Sequence, residues 1–252
     1  MAPSYANLFT DDLEKTLISA ARFKPYIWLR CIDDIFMVWT DGEQKLAEFL
    51  EYINGAHRSI KFIWEWSWEK VNFLDIQIID NEGNIDTDLY VKPTDKHQYL
   101  VYNSCHPRSC KTSIPYVQAM RLKRICSTLE TFDRRAKELA DFQMARGYNR
   151  NVVQEQIQRA RAVPREQALS PRKRENSNRI PFVVSYHPGL SNIGGILREL
   201  QPVLDSSDRC KKAVKDLPVM AFQRPKNLKD YLVKARLKPV DSEVKVKGTV
   251  EC

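Results

Sequence analysis

The chain has 252 residues, enough for one large domain or two small ones with a real core, and its 43% apolar content excludes a disordered chain. No apolar run approaches the roughly 20 residues of a membrane helix, and the opening "MAPSYANLFTDDLEK" lacks the basic and apolar regions of a secretory signal. The net charge of +8 is unevenly spread: residues 1–104 carry 10 Lys and Arg against 17 Asp and Glu, residues 105–180 carry 17 against 7, and residues 181–252 carry 13 against 8.

In chain order, "KPYIWLRCI" and "IFMVWT" are rich in β-branched and aromatic residues and flank Asp33-Asp34, which predicts a hairpin with the aspartates at its tip. Asp41 and Gln44 have capping-box spacing, and Leu46, Phe49, Leu50 and Ile53 follow at helical period, with Gly55 as a stop. "SIKFIWEWSWE" alternates apolar and polar residues and predicts a strand, its Trp64, Trp66 and Trp68 stripe read as core rather than as a base-stacking platform. "NFLDIQIID" and "IDTDLYVK" predict two more strands around the turn "DNEGN". Residues 1–104 therefore read as a small antiparallel sheet with helices, and the fold class as α+β.

From Ser113 the period becomes helical. Ser113 and Pro115 signal a helix start, Leu129, Phe132, Ala136, Leu139 and Phe142 share a face of the next helix, and "NRNVVQEQIQRARAV" predicts a third that ends at Pro164. Residues 105–163 form this helical part, and the Pro-, Ser- and Arg-rich stretch 164–179 reads as a basic linker. Its run "PRKRE" fits a nuclear-import patch or plain linker equally. Residues 180–252 alternate short strands and helices in a small mixed region. The basic middle suits a polyanion partner, most often nucleic acid, or else a solvated surface. Six scattered cysteines without framework spacing point to a reducing, intracellular compartment. The spacing of Cys105, His106 and Cys110 lacks the second ligand pair of a zinc site, so zinc is not expected.

Asp33-Asp34 has two readings. One is ordinary turn chemistry, in which exposed carboxylates cost little. The other is a Mg²⁺ or Mn²⁺ site, where carboxylates and phosphates share the metal's shell and two ions clamp the oxygens of a nucleotidyl transfer.

The ordered set "APSYANLF", "RCIDDIF", "IKF", "NFLDIQI", "LYVKPTDKHQYL", "SCHP", "IPYVQAMRLKRICS", "PFVVSYHPGLSNI" and "AFQRPKNLKDYLVKA" resembles the reverse transcriptase of Penelope-like retroelements over nearly the whole chain. The resemblance implies the C-terminal part of a right-hand polymerase palm, then a helical thumb and a connector. Asp33 and Asp34 would be catalytic metal ligands for Mg²⁺ or Mn²⁺. Pro3, Ser4, Tyr5 and Asn7 would lie in the palm segment beneath nucleotide and template. Phe73, Leu74 and Asp75 would belong to the primer grip. Arg121, Lys123 and Arg124, with Lys111, Arg134 and Arg135, would contact phosphates of an RNA template and DNA primer, and dNTP would be the substrate. The resemblance, together with polyanion binding, implies nuclear localisation; no membrane partner is expected, because no apolar run is long enough to span one. The family has Tyr where this chain has Cys31. The resemblance also implies that the first palm strand with its further Asp, the fingers and a C-terminal GIY-YIG endonuclease are missing here, leaving a fragment inactive alone. Two alternatives stand beside it: a helix-turn-helix-like nucleic-acid-binding module built on a palm remnant, and the product of a decayed element with no role.

Overall fold

The computed structural model describes residues 2–171, 179–190, 192–213 and 216–232, and the side chains of residues 2 and 3 fall outside that description. The fold is mixed α+β and divides into two compact units, Met1–Asn103 with Thr112–Pro171, and Ser104–Lys111 with Arg172–Cys252.

The first unit opens with helix α1 (Ala2–Ala20), followed by strands β1 (Ile27–Cys31) and β2 (Asp34–Val38). The strands pair antiparallel, with Ile27 opposite Val38 and Cys31 opposite Asp34, so the loop is the two residues Ile32 and Asp33. Helix α2 (Glu43–Gly55) packs on this hairpin. Its buried Leu46, Phe49, Leu50 and Ile53 meet Trp28, Met37 and Trp39. Each such side chain contributes about 1.5–3 kcal/mol when fully buried. The predicted Asp41 cap is corrected. Gly42 is the N-cap, at φ 85°, and its carbonyl accepts the Trp39 indole N–H at 2.9 Å. At this positive φ glycine avoids the strain a Cβ would bring, and no side chain caps the helix.

A second sheet orders β3 (Lys70–Phe73), β4 (Ile76–Asn81) and β5 (Asn84–Leu89), all antiparallel. Instead of one sheet there are two, and "NFLDIQIID" is two strands, because Leu74 at φ 56° turns the chain between Phe73 and Ile76. Glu82 and Gly83, both at positive φ, make the next tight turn. The strand predicted over "SIKFIWEWSWE" is absent. Asn54 accepts from the Phe62 amide at 2.7 Å and donates to its carbonyl at 3.1 Å, taking up the groups a neighbouring strand would pair. Beyond Phe62 the stripe runs into solvent: Trp64, Trp66 and Trp68 are 46–68% exposed, which overturns their reading as core.

Helix α3 (Arg108–Ile125) starts five residues before Ser113, and its first turn closes through the Cys110 and Lys111 amides on the Pro107 carbonyl. Pro115 is therefore inside the helix rather than at its start, with its ring buried. Helix α4 (Leu129–Ala145) is capped by Thr128, and α5 (Arg150–Arg161) by Asn149. Phe132, Ala136 and Leu139 of α4 are buried as predicted, whereas Leu129 is 53% exposed. The supposed linker begins with a short helix, α6 (Arg165–Leu169), whose Ala168 is buried, while the basic run from residue 172 lies outside the described residues.

The α3–α4 turn is fastened to β5. Ser127 and Thr87 exchange bonds, from the Thr87 amide to Ser127 Oγ at 3.0 Å and from the Ser127 amide to the Thr87 carbonyl at 2.9 Å. Next along the strand, Asp88 is 4% exposed and accepts from Arg134 at 2.6 Å and from Arg135 at 2.9 and 3.0 Å. Arg135 also donates to the Leu89 carbonyl and to Glu138.

In the second unit, β6 (Pro181–Ser185) and β7 (Val219–Gln223) pair in parallel, which requires a crossover. Helices α7 (Ile193–Asp205), capped by Asn192, and α8 (Asp208–Ala213) lie in that connection. In the last described helix, α9 (Leu228–Leu232), Asp230 accepts a bidentate pair of bonds from Arg224.

Burial alone would raise the Asp88 carboxyl, but hydrogen bonds from Arg135, Arg134 and the Leu89 amide outweigh it and hold the group below the usual carboxylate range. A depressed native value means the stabilisation is complete above the unfolded value, about pH 4, and is lost as pH falls below it. Asp88→Ala should cost about 3 kcal/mol in urea unfolding at pH 7, since it leaves Arg135 without its main partner. The same variant should flatten the stability curve between about pH 4 and the onset of acid unfolding.

Candidate nucleic-acid interface

Helices α4 and α5 are joined by Arg146, Gly147, Tyr148 and Asn149. The reversal is set by Gly147 at φ 84°. The Gly147 amide bonds the Met144 carbonyl at 2.9 Å, and the Tyr148 amide bonds that of Gln143 at 3.2 Å, satisfying carbonyls at the end of α4. Tyr148 then turns inward, 5% exposed and edge-on to Tyr102 at 5.2 Å. Burial pushes its phenol above the ordinary tyrosine value. Asn149 Oδ1 accepts from the amides of Asn151 at 2.9 Å and Val152 at 3.4 Å, which fixes where α5 starts.

One face of α5 carries Val153, Ile157 and Ala160 into the core shared with Ala119, Leu122, Phe132 and Leu139. The opposite face is polar and exposed: Asn151, Gln154, Glu155 and Gln158. Cations flank it. Arg150 is exposed at the first helical position. Arg161 makes a bidentate pair with Asp133, at 2.8 and 2.9 Å, which holds the Asp133 carboxyl below its usual range. On the other side the Arg159 guanidinium lies 4.7 Å from the centre of the Tyr116 ring.

The cations singled out from the sequence are placed differently. Lys123 is 8% exposed, with its ammonium 5.4 Å from the Phe132 ring centre, so it does not reach solvent phosphates. Arg135 is held by Asp88, Glu138 and the Leu89 carbonyl, and Arg134, half exposed, shares Asp88. Arg124 donates to the Ala168 carbonyl at 2.9 Å, and Lys111 to that of Ser104 at 3.1 Å. Arg121 pairs with Asp75 at the β3–β4 tip, its Nε at 3.0 Å, and both side chains remain nearly half exposed. All six are thus engaged by protein groups. The exposed α5 face was missed from the sequence but carries a signal there: Gly147 and Asn149 mark a tight turn and a cap before an amide-rich helix.

The hairpin tip is built with equal care. Ile32 sits at φ 60°, a costly conformation for a β-branched residue. Its carbonyl accepts from Arg30 at 3.0 Å. Arg30 is anchored in turn by Glu14 at 2.7 Å and by the Asn7 side chain at 3.2 Å. Glu14, 8% exposed, also accepts from the Trp28 indole. Asn7 is thus brought to the carboxylate hairpin, while Ser4 and Tyr5 are exposed on α1 and the Pro3 side chain lies outside the described residues. Phe73 meets Phe36 at 5.7 Å, joining the two hairpins, with Leu74 and Asp75 at the neighbouring tip. Asp33 and Asp34 are exposed. Among the described residues no group of three or more His, Cys, Asp or Glu side chains is placed to hold a metal ion. Two carboxylates alone fall short of the donor set that a pair of Mg²⁺ ions requires.

The animal helix-turn-helix domain family matches residues 98–158, which span α3, α4 and nearly all of α5. No curated protein and no solved structure matches the chain. Among the described residues no helix is long and apolar enough to cross a membrane.

Gly147→Ala should lower stability by about 1–2 kcal/mol, from backbone strain alone, because the added Cβ would meet only Tyr102 Cβ at an ordinary 3.8 Å. Gly147→Asn should cost less, since Asn tolerates the left-handed region. Thermal unfolding of the two variants measures the difference.

Proposed function

We propose that residues 98–158 are a nucleic-acid-binding helical module that presents the exposed face of α5 to the major groove of a DNA duplex. The observation that carries this reading is the arrangement of α4 and α5. A four-residue turn with a left-handed glycine seats α5 on the core through Val153 and Ile157 and leaves a polar face flanked by arginines. Recognition helices of helix-turn-helix proteins dock in this way. The match of 98–158 to a helix-turn-helix family and the net +10 of residues 105–180 support it independently.

A second reading is favoured by the two adjoining hairpins. Asp33 and Asp34 stand on a tip braced by Arg30, beside the Leu74–Asp75 tip. In this reading the chain is part of an RNA-directed DNA polymerase of the Penelope-like kind. Its helices would follow an RNA template and DNA primer, and Mg²⁺ or Mn²⁺ would be held at the tip in the intact enzyme.

The two readings separate in a binding competition. A duplex-reading helix favours B-DNA, because the deep, narrow major groove of A-form nucleic acid excludes side chains. The full chain should therefore bind duplex DNA more tightly than an RNA–DNA hybrid of equal length. Tighter binding to the hybrid would favour the polymerase reading. Arg150→Ala should weaken duplex binding about fivefold and reduce the slope of log K against log salt by about one. Primer extension by the chain alone, with Mg²⁺ or Mn²⁺, is expected to be nil, and templated synthesis would make the second reading the function.

A further inference from the structure

We infer that the α5 face reads adenine in the major groove, so that the module prefers A·T-rich duplexes. This rests on the duplex-binding reading and assigns its sequence class. Asn151, Gln154 and Gln158 are exposed, and their side chains make no hydrogen bond among the described residues. At 100° per residue the three amides lie within roughly 60° of one another on the helix. At 1.5 Å per residue they span about 10 Å, close to three base-pair rises of about 3.4 Å. An Asn or Gln amide carries one donor and one acceptor side by side, which matches the N7 acceptor and N6 amine of adenine. Guanine offers two acceptors there and suits Arg or Lys instead.

Two of the arginines near this face are already engaged away from the bases. Arg161 is oriented by Asp133 and Arg159 by Tyr116, on opposite flanks of the helix. Arg150 and Arg161 on one side and Arg159 on the other bracket the amides as phosphate contacts bracket a groove. The carboxylate of Glu155 borders the amides and accepts from the N4 amine of cytosine, so a G·C pair at that edge is tolerated.

The test uses the full chain and two duplexes of equal length, one A·T-rich and one G·C-rich, at fixed salt. The A·T-rich duplex should bind at least about tenfold more tightly, the discrimination of one good amide–adenine pair. Replacing its adenines with 7-deazaadenine removes the N7 acceptor but keeps the Watson–Crick pair, and should abolish most of that preference. Gln154→Ala and Gln158→Ala should each lower the ratio of the two affinities, with unchanged thermal unfolding as the check on folding. Equal affinity for both duplexes overturns the inference while leaving duplex binding standing. A preference that survives 7-deazaadenine overturns it in favour of minor-groove or shape readout. Failure to bind either duplex removes the inference together with the reading beneath it.

Discussion

Much of the first unit depends on Asp88. It is the next-to-last residue of β5, almost out of solvent, and its two oxygens face Arg134 and Arg135 on α4. A carboxylate buried there without those guanidinium groups would carry a large desolvation penalty, and Arg135 without Asp88 would be similarly stranded. The pair therefore acts as a peg. With the Ser127–Thr87 bonds it fixes the start of α4 against the sheet edge, and α4 in turn supplies the surface on which α5 is seated.

This peg changes the meaning of the basic charge. The excess of Lys and Arg over residues 105–180 looks like one polyanion-binding surface, but several of its members are engaged within the fold. Lys123 covers an aromatic ring, Arg124 closes onto α6, and Arg134 and Arg135 serve Asp88. Net charge steers a molecule toward nucleic acid at long range even when the individual cations are engaged, because the field sums over all of them. Close contact is different, since it requires donors that are free or weakly held. On α5 such donors are the exposed amides of Asn151, Gln154 and Gln158.

The carboxylate hairpin has its own bracing. The strained Ile32 is held by Arg30, whose guanidinium links a buried Glu14 to Asn7 of the first helix. Strain that persists on so exposed a tip is held in place by its surroundings. Both readings of function can use this part of the molecule, as a platform for the helices or as one side of a polymerase site.

The hydrophobic period of the sequence determined α2 with its four buried residues, the hairpin around Asp33-Asp34, and the cores of α4 and α5, because helix and strand periods are local properties of side-chain spacing. Non-local partners decided the rest. "SIKFIWEWSWE" has the alternation of a strand, yet Asn54 meets its backbone where another strand would have to. Pro115 looks like a helix start, yet the helix already runs from Arg108, its first turn closed on the Pro107 carbonyl. The arginines of α4 look like phosphate ligands in the sequence, where every Arg is equally charged. Only the fold, by placing Asp88 against them, made them structural and left the amide face of α5 to meet the solvent.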